Sequence, residues 1–279
     1  MDWIRALDTL RDQGHPAVLV TLTDVHGHAP RDPGAKLVVS AIGRWGSVGG
    51  GNLEAGAVAR AEAMLREGLT RPEFLEFGLN EHVPTVHGRQ CCGGRVQLLL
   101  EPVPVRPTVA VFGLGHVGYE VARIVSRLDV QLHLVDTRSG VLTAEQEADL
   151  RTGPARIWRH QPLVPEAVLE LLPAGSHLVV LTHDHAEDMA ICDAVLRRPG
   201  WGSVGLIGST AKWARFRMRL QQAGHPAVAV DRIRCPMGLP GIEGKAPAVI
   251  AISVVAELAR TWVAAGVELS EPVRRPSVG

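Results

Sequence analysis

Apolar positions from residue 109 onward change period in a fixed order. Residues 109–112 are continuously apolar and β-prone. Over residues 119–128 the apolar side chains move to helical spacing, with Val121, Ile124, Val125 and Leu128 on one side. Residues 130–135 form a second apolar segment, interrupted by Gln131 and His133, that ends at Asp136. The pattern predicts strand, turn, helix, strand. The turn reads Gly113-Leu-Gly115-His116-Val-Gly118. Asp136 follows Gly113 at close to the roughly 20 residues expected for a carboxylate that meets a ribose hydroxyl. The glycines also aim a helix N-terminus at an anion, such as a phosphate. The alternative is that they only let helix and strand pack closely.

Further strands are predicted at 178–181, 203–207 and 227–229, with helices at 186–197, 211–223 and 248–259. Strand and helix in alternation predict a parallel sheet covered on both faces. Before this region, a helix runs to about residue 13 and stops at Gly14 and Pro16. Strands follow at 17–22, 35–39, 74–77 and 95–100, with a helix at 53–66. Gly14-His-Pro-Ala-Val recurs at 224–228, each time read as a helix stop before a strand. Prolines at 102, 104 and 107 mark an extended connection. The expected organisation is α/β: a smaller N-terminal α/β domain (1–101), a linker (102–107) and a Rossmann-like C-terminal domain (108–279). The proline-rich end from residue 270 is expected to fray.

Composition narrows the function classes. The 279 residues are 46% apolar, ample for two cores. Lys plus Arg equals Asp plus Glu at 29 each, which argues against a broad nucleic-acid footprint. Aromatics at 4% give no stacking platform for single strands. The longest apolar run, 246–256, is too short to span a membrane, and the first 14 residues do not read as a secretory signal. Four cysteines in such a chain make no disulfide framework, so a reducing cytoplasm is expected.

Four segments carry candidate chemistry. Gly49-Gly50-Gly51 enters a helix at Asn52, a good N-cap, with Glu54 in the first turn. Successive N–H groups there can face one anion, or the turn is merely tight. The rigid Gly/Pro loop 27–34 can hold Arg31 and Lys36 for a phosphate or carboxylate, or be a solvated turn. Cys91-Cys92-Gly93-Gly94 lacks zinc-ribbon spacing. With His87, Arg89 and Arg95 near, it can supply a thiolate to a soft metal, or two small buried side chains. Thr182-His183-Asp184-His185 follows a strand, at the sheet edge where ligands bind. A metal there is conceivable, but the spacing is not a zinc pattern. A capping Asp with partly exposed histidines is the plainer reading, and His183 or Asp184 can touch a cofactor. Gly208-Ser209 has a similar edge position and is not a P-loop.

Together these segments resemble the XdhC/CoxI family, the xanthine dehydrogenase accessory proteins. The resemblance runs through His28–Lys36, Gly46–Glu54, Cys92–Gly94, Val111–Gly118 with Val135–Arg138, Leu181–Asp188, Val204–Lys212 and Cys235–Glu257. It implies a non-catalytic carrier that binds molybdenum cofactor in its molybdopterin form and protects it during sulfuration. The carrier would deliver it to apo xanthine dehydrogenase or a related molybdoenzyme. A cysteine desulfurase would be a partner, and family analogy favours a homodimer. The family's cysteine before paired glycines maps to Cys92, beside Cys91, as a possible molybdenum ligand. Three positions depart from the family pattern: His28 in Gly-His-Ala-Pro-Arg, Cys235 in place of a histidine, and no acid at 248–249. The implied site joins Cys91, Cys92, Arg31, Lys36, the two glycine turns, Asp136, His183, Asp184, Gly208 and Ser209. An interdomain cleft would shelter the metal. Two other functions fit the glycine motif: an NAD-dependent oxidoreductase and a plain nucleotide-binding interaction module.

Overall fold

The computed structural model describes residues 2–78, 94–242 and 244–264. It divides into two compact units, Met1–Val105 and Arg106–Gly279. Cys91, Cys92 and the residues from 270 lie outside the described residues.

The first unit is an antiparallel sheet with a helix on each face. Helix α1 (Trp3–Gln13) is capped by Asp2, whose carboxylate accepts the Ile4 N–H at 2.7 Å. It stops at Gly14, which takes the left-handed φ of 73°. Strands β1 (Ala17–His26), β2 (Lys36–Ser40) and β3 (Gly43–Gly46) precede helix α2 (Gly51–Glu67). Strands β4 (Glu73–Gly78) and β5 (Arg95–Val103) complete the order β3-β2-β1-β5-β4. Alternation along β1 sorts the faces. Val18, Val20 and Leu22 pack with Leu53, Ala57 and Met64 of α2. Ala17 and Leu19 face the α1 side, with Leu10 and Val38. Pro102 and Val103, expected in the linker, pair with β1 inside β5.

The second unit holds a parallel sheet ordered β11-β10-β9-β6-β7-β8. Its elements are β6 (Thr108–Phe112), α3 (His116–Val125), β7 (Gln131–Val135), α4 (Ala144–Leu150) and β8 (Arg156–His160). A 3-10 helix (Pro165–Leu171) leads to β9 (His177–Val180) and α5 (His185–Arg197). Then follow β10 (Ser203–Leu206), α6 (Thr210–Gln222), α7 (Ala227–Val230), β11 (Ile233–Arg234) and α8 (Pro247–Ala264). One core layer joins β6 and β7 to α3 and α8, around the fully buried Trp262. The other joins β9 and β10 to α5 and α6 through Ile191, Val195, Phe216 and Leu220. The sequence reaches β8 after β7, then crosses back to place β9 beside β6. Such a reversal opens a crevice at the carboxyl ends of the two strands.

One predicted strand is corrected. Residues 227–229 form a helical turn, with the Ala229 and Val230 N–H groups bonded to the Pro226 carbonyl. Val228 is 81% exposed, so alternation there has no buried face to serve. The strand comes later, at Ile233–Arg234. The recurring Gly-His-Pro-Ala-Val thus stops a helix both times, through Gly14 and Gly224 at positive φ, but precedes a strand only once.

Candidate functional site

In the first unit, three segments meet at one end of the sheet. A Cβ on Gly49 would lie 2.5 Å from Pro30 Cγ and 3.7 Å from Arg31 Cγ. A Cβ on Gly94 would lie 2.5 Å from the His28 carbonyl and 2.7 Å from that of His26. Loop 27–34 is therefore clasped between the glycine turn and the residue two places after Cys92. Only glycine permits such close approach on both sides. Arg31 is exposed beside the turn and makes no ion pair among the described residues.

In the turn, the Val48, Gly49 and Gly50 amides are taken by the protein's own side chains rather than held open as expected. Glu54 Oε2 accepts from Ser47 Oγ at 2.5 Å, Val48 N at 3.2 Å and Gly50 N at 3.1 Å. The Gly49 N–H goes to Ser47 Oγ at 3.1 Å. The anion in this turn is the protein's own carboxylate. Asn52 is not the N-cap either: Gly50 takes that place, and the helix begins at Gly51. Lys36 is also corrected. It sits on the α1 face of β2, where its Nζ donates to Thr21 Oγ1 at 2.9 Å and lies 5.5 Å over the Trp3 ring.

In the second unit, the predicted segments gather at the carboxyl ends of β6, β7, β9 and β10. Here too an acid lies in the glycine turn. Asp136 Oδ2 accepts from Leu114 N at 2.7 Å and an Arg138 terminal nitrogen at 2.8 Å. Its Oδ1 accepts from Arg138 N at 3.0 Å and Nε at 2.9 Å. A carboxylate offers about four lone-pair positions. Four donors fill them, so the ribose role expected of Asp136 is not available in this arrangement. Burial alone would raise the Asp136 carboxyl. The Arg138 side chain and the Leu114 and Arg138 N–H groups outweigh burial and hold it below the ordinary range.

The three motif glycines differ. Gly113 has φ 101°, and a Cβ there would sit 2.3 Å from the Leu181 carbonyl. At Gly118 it would sit 1.9 Å from the Gly113 carbonyl. Both are required by packing. Gly115, at φ −66°, has nothing within 4 Å. With exposed His116 it opens on a cleft of about 570 Å³ that includes Tyr119, Arg138 and Gln146.

Asp184 caps α5, accepting the Ala186 N–H at 2.8 Å, and His183 is exposed, 3.7 Å from Glu187. Ser209 caps α6 through the Lys212 N–H, and Gly208 makes room for the Lys212 stem, 2.7 Å from a would-be Cβ. No group of three or more potential metal ligands occurs among the described residues.

Sequence reasoning missed the pair beneath this edge. Lys212 Nζ lies 2.5 Å from Asp188, whose other oxygen accepts from Thr182 N and Oγ1 at 2.9 and 2.8 Å. Both charged groups are buried. The signal was the charge itself, one acid and one lysine each just inside an otherwise amphipathic helix. Burial pushes the thiols of Cys192 and Cys235 up to about 12 and about 11, so neither is a ready thiolate.

Fold and site define a two-unit α/β protein whose second unit is of the Rossmann type. A family profile described as the XdhC Rossmann domain matches residues 109–258, more than half of the chain, and one described as the XdhC and CoxI family matches residues 10–78. The chain belongs to this family. Among relatives in Escherichia coli, the molybdenum cofactor insertion chaperone PaoD is 27% identical across 88% of this chain and 83% of its own length. The uncharacterized protein YqeB is 25% identical over 89% of this chain, which spans only 44% of YqeB. A Bacillus halodurans crystal structure described as a xanthine dehydrogenase covers 100% of this chain and 98% of its own, at 19% identity and a TM-score of 0.47.

Proposed function

We propose that this chain carries molybdenum cofactor as cargo and inserts it into a molybdenum hydroxylase such as xanthine dehydrogenase. The observation that carries the reading is the meeting of loop 27–34, the Gly49 turn and Gly94 at one end of the first sheet. These are among the segments that carry the family resemblance, and the relation to PaoD supports the same role. Arg31 supplies a guanidinium for the cargo's phosphate. Cys92, with Cys91 beside it in the chain, supplies a soft thiolate for molybdenum. His116, the Gly115 cleft and His183 are secondary contacts for the cargo or for a nucleotide.

The carrier holds its cargo while a cysteine desulfurase supplies the sulfido ligand, acts as a homodimer in the cytoplasm, and catalyses no reaction of its own. The oxidoreductase alternative needs Asp136 free for a ribose, and four donors already occupy it. The test is reconstitution. Cofactor-loaded chain mixed with apo xanthine dehydrogenase should restore activity faster than free cofactor, and a Cys91→Ala/Cys92→Ala double variant should not. Equal rates with and without the chain would refute the carrier role.

A further inference from the structure

We propose that Glu54 is a specificity-determining residue that fills the anion seat of the Val48–Gly50 amides from within. The cargo's phosphate is thereby turned away from those amides and left to Arg31. The inference rests on the carrier reading for the identity of the cargo, but the seat itself is defined by geometry. A strand-to-helix glycine turn ordinarily offers its N–H groups to a ligand phosphate. Here Ser47 Oγ, Val48 N and Gly50 N all converge on Glu54 Oε2, at 2.5, 3.2 and 3.1 Å. Ser47 Oγ in turn takes the Gly49 N–H, so the hydroxyl and three successive amides are committed.

A phosphate entering this seat would have to displace a carboxylate tethered one helical turn away, or lie against its negative charge. Two unlike-shaped anions of the same sign do not share one set of donors. Among the described residues, a cation with no ion pair stands on the other wall. Arg31 packs its stem 3.7 Å from the Gly49 Cβ position, with its side chain exposed and no ion pair among the described residues. Guanidinium offers five donors in a planar fork suited to phosphate. The same device recurs in the second unit, where Asp136 fills the Leu114 amide, but there Arg138 is spent on the acid itself.

The test titrates inorganic phosphate into the full chain at constant ionic strength and follows backbone amide resonances. In the wild type, the Val48 and Gly50 amides should not move, while the Arg31 side-chain signal should shift saturably. In Glu54→Ala the emptied seat becomes an external anion site, so the same two amides should shift saturably with phosphate and with formate. Saturable movement of Val48 and Gly50 in the wild type would overturn the proposal. So would a folded Glu54→Ala chain whose amides ignore both anions. If Glu54→Ala does not fold, the wild-type titration decides alone.

A second arm uses the cargo. Wild type should retain intact molybdopterin at least several-fold better than phosphatase-treated molybdopterin, and Arg31→Ala should retain the two alike. A preference that survives Arg31→Ala overturns the assignment. Failure to retain either form would refute the carrier reading, while the phosphate titration would still judge Glu54.

Discussion

A methyl group added at three glycines of one turn would meet three different surroundings. At Gly113 it would meet the Leu181 carbonyl and an unfavourable φ, and at Gly118 the Gly113 carbonyl. Each Ala variant should lose about 3 kcal/mol or more, read as a lower denaturant midpoint for the second unit. Gly115→Ala meets open space at an ordinary φ and should stay within about 0.5 kcal/mol of wild type. Loss of ligand binding without loss of stability in Gly115→Ala would mark the one glycine kept for a ligand. The buried Lys212–Asp188 pair follows different logic. Lys212→Met strands a carboxylate that is 0% exposed and should cost about 3–5 kcal/mol. Adding Asp188→Leu should recover much of that loss, and a double variant as unstable as Lys212→Met would show that the charge is not the reason. At this scale the sequence marked the right residues more often than their partners. Asp136, Glu54 and Asp184 all stand where acids suit a turn or helix start. Whether such an acid meets a ligand or its own backbone depends on a rotamer, and no pattern along the chain encodes it.

Strands β7 and β8 carry a device that periodicity could not reveal. His133 and His160 stack at 5.1 Å, their Nδ1 and Nε2 3.0 Å apart, with Trp158 stacked on His133 at 5.0 Å. His133 Nε2 is buried with no hydrogen-bond partner among the described residues. A buried lone pair costs less than a buried N–H, so the His133 proton belongs on Nδ1, donating to His160. Burial, and then the neighbouring His160, push His133 down to about 4, and burial lowers His160 too. Burial also brings His177 down to about 4, against Trp262. Folded pKa values below the ordinary 6.5 mean that the unfolded chain takes up protons first. Stability is therefore full above pH 6.5 and falls as pH drops toward 4. The thermal midpoint should decline over that window, and less steeply in His133→Phe. An unchanged slope in that variant would place the effect elsewhere. Strand β8 escaped sequence reading because Arg156, Trp158, Arg159 and His160 neither alternate nor run apolar. By contrast, β6 was legible because a central parallel strand buried on both faces is written as an unbroken apolar run, α3 by its helical spacing, and β7 by Leu132, Leu134 and Val135 despite the buried Gln131 and His133.

Across the whole molecule, burial acts on both described thiols, and the ligand role is proposed for the two adjacent cysteines. Cys192 and Cys235 are held as neutral thiols by burial, and the proposed carrier assigns the soft ligands to Cys91 and Cys92. The measurement that bears most directly on this account is molybdenum and pterin content per chain, after purification from a host that makes the cofactor. Wild type should retain both in equal amounts. Cys91→Ala/Cys92→Ala should lose most of the metal while keeping the wild-type thermal midpoint. Wild-type protein free of pterin, or a double variant that holds molybdenum as well as wild type, would contradict it.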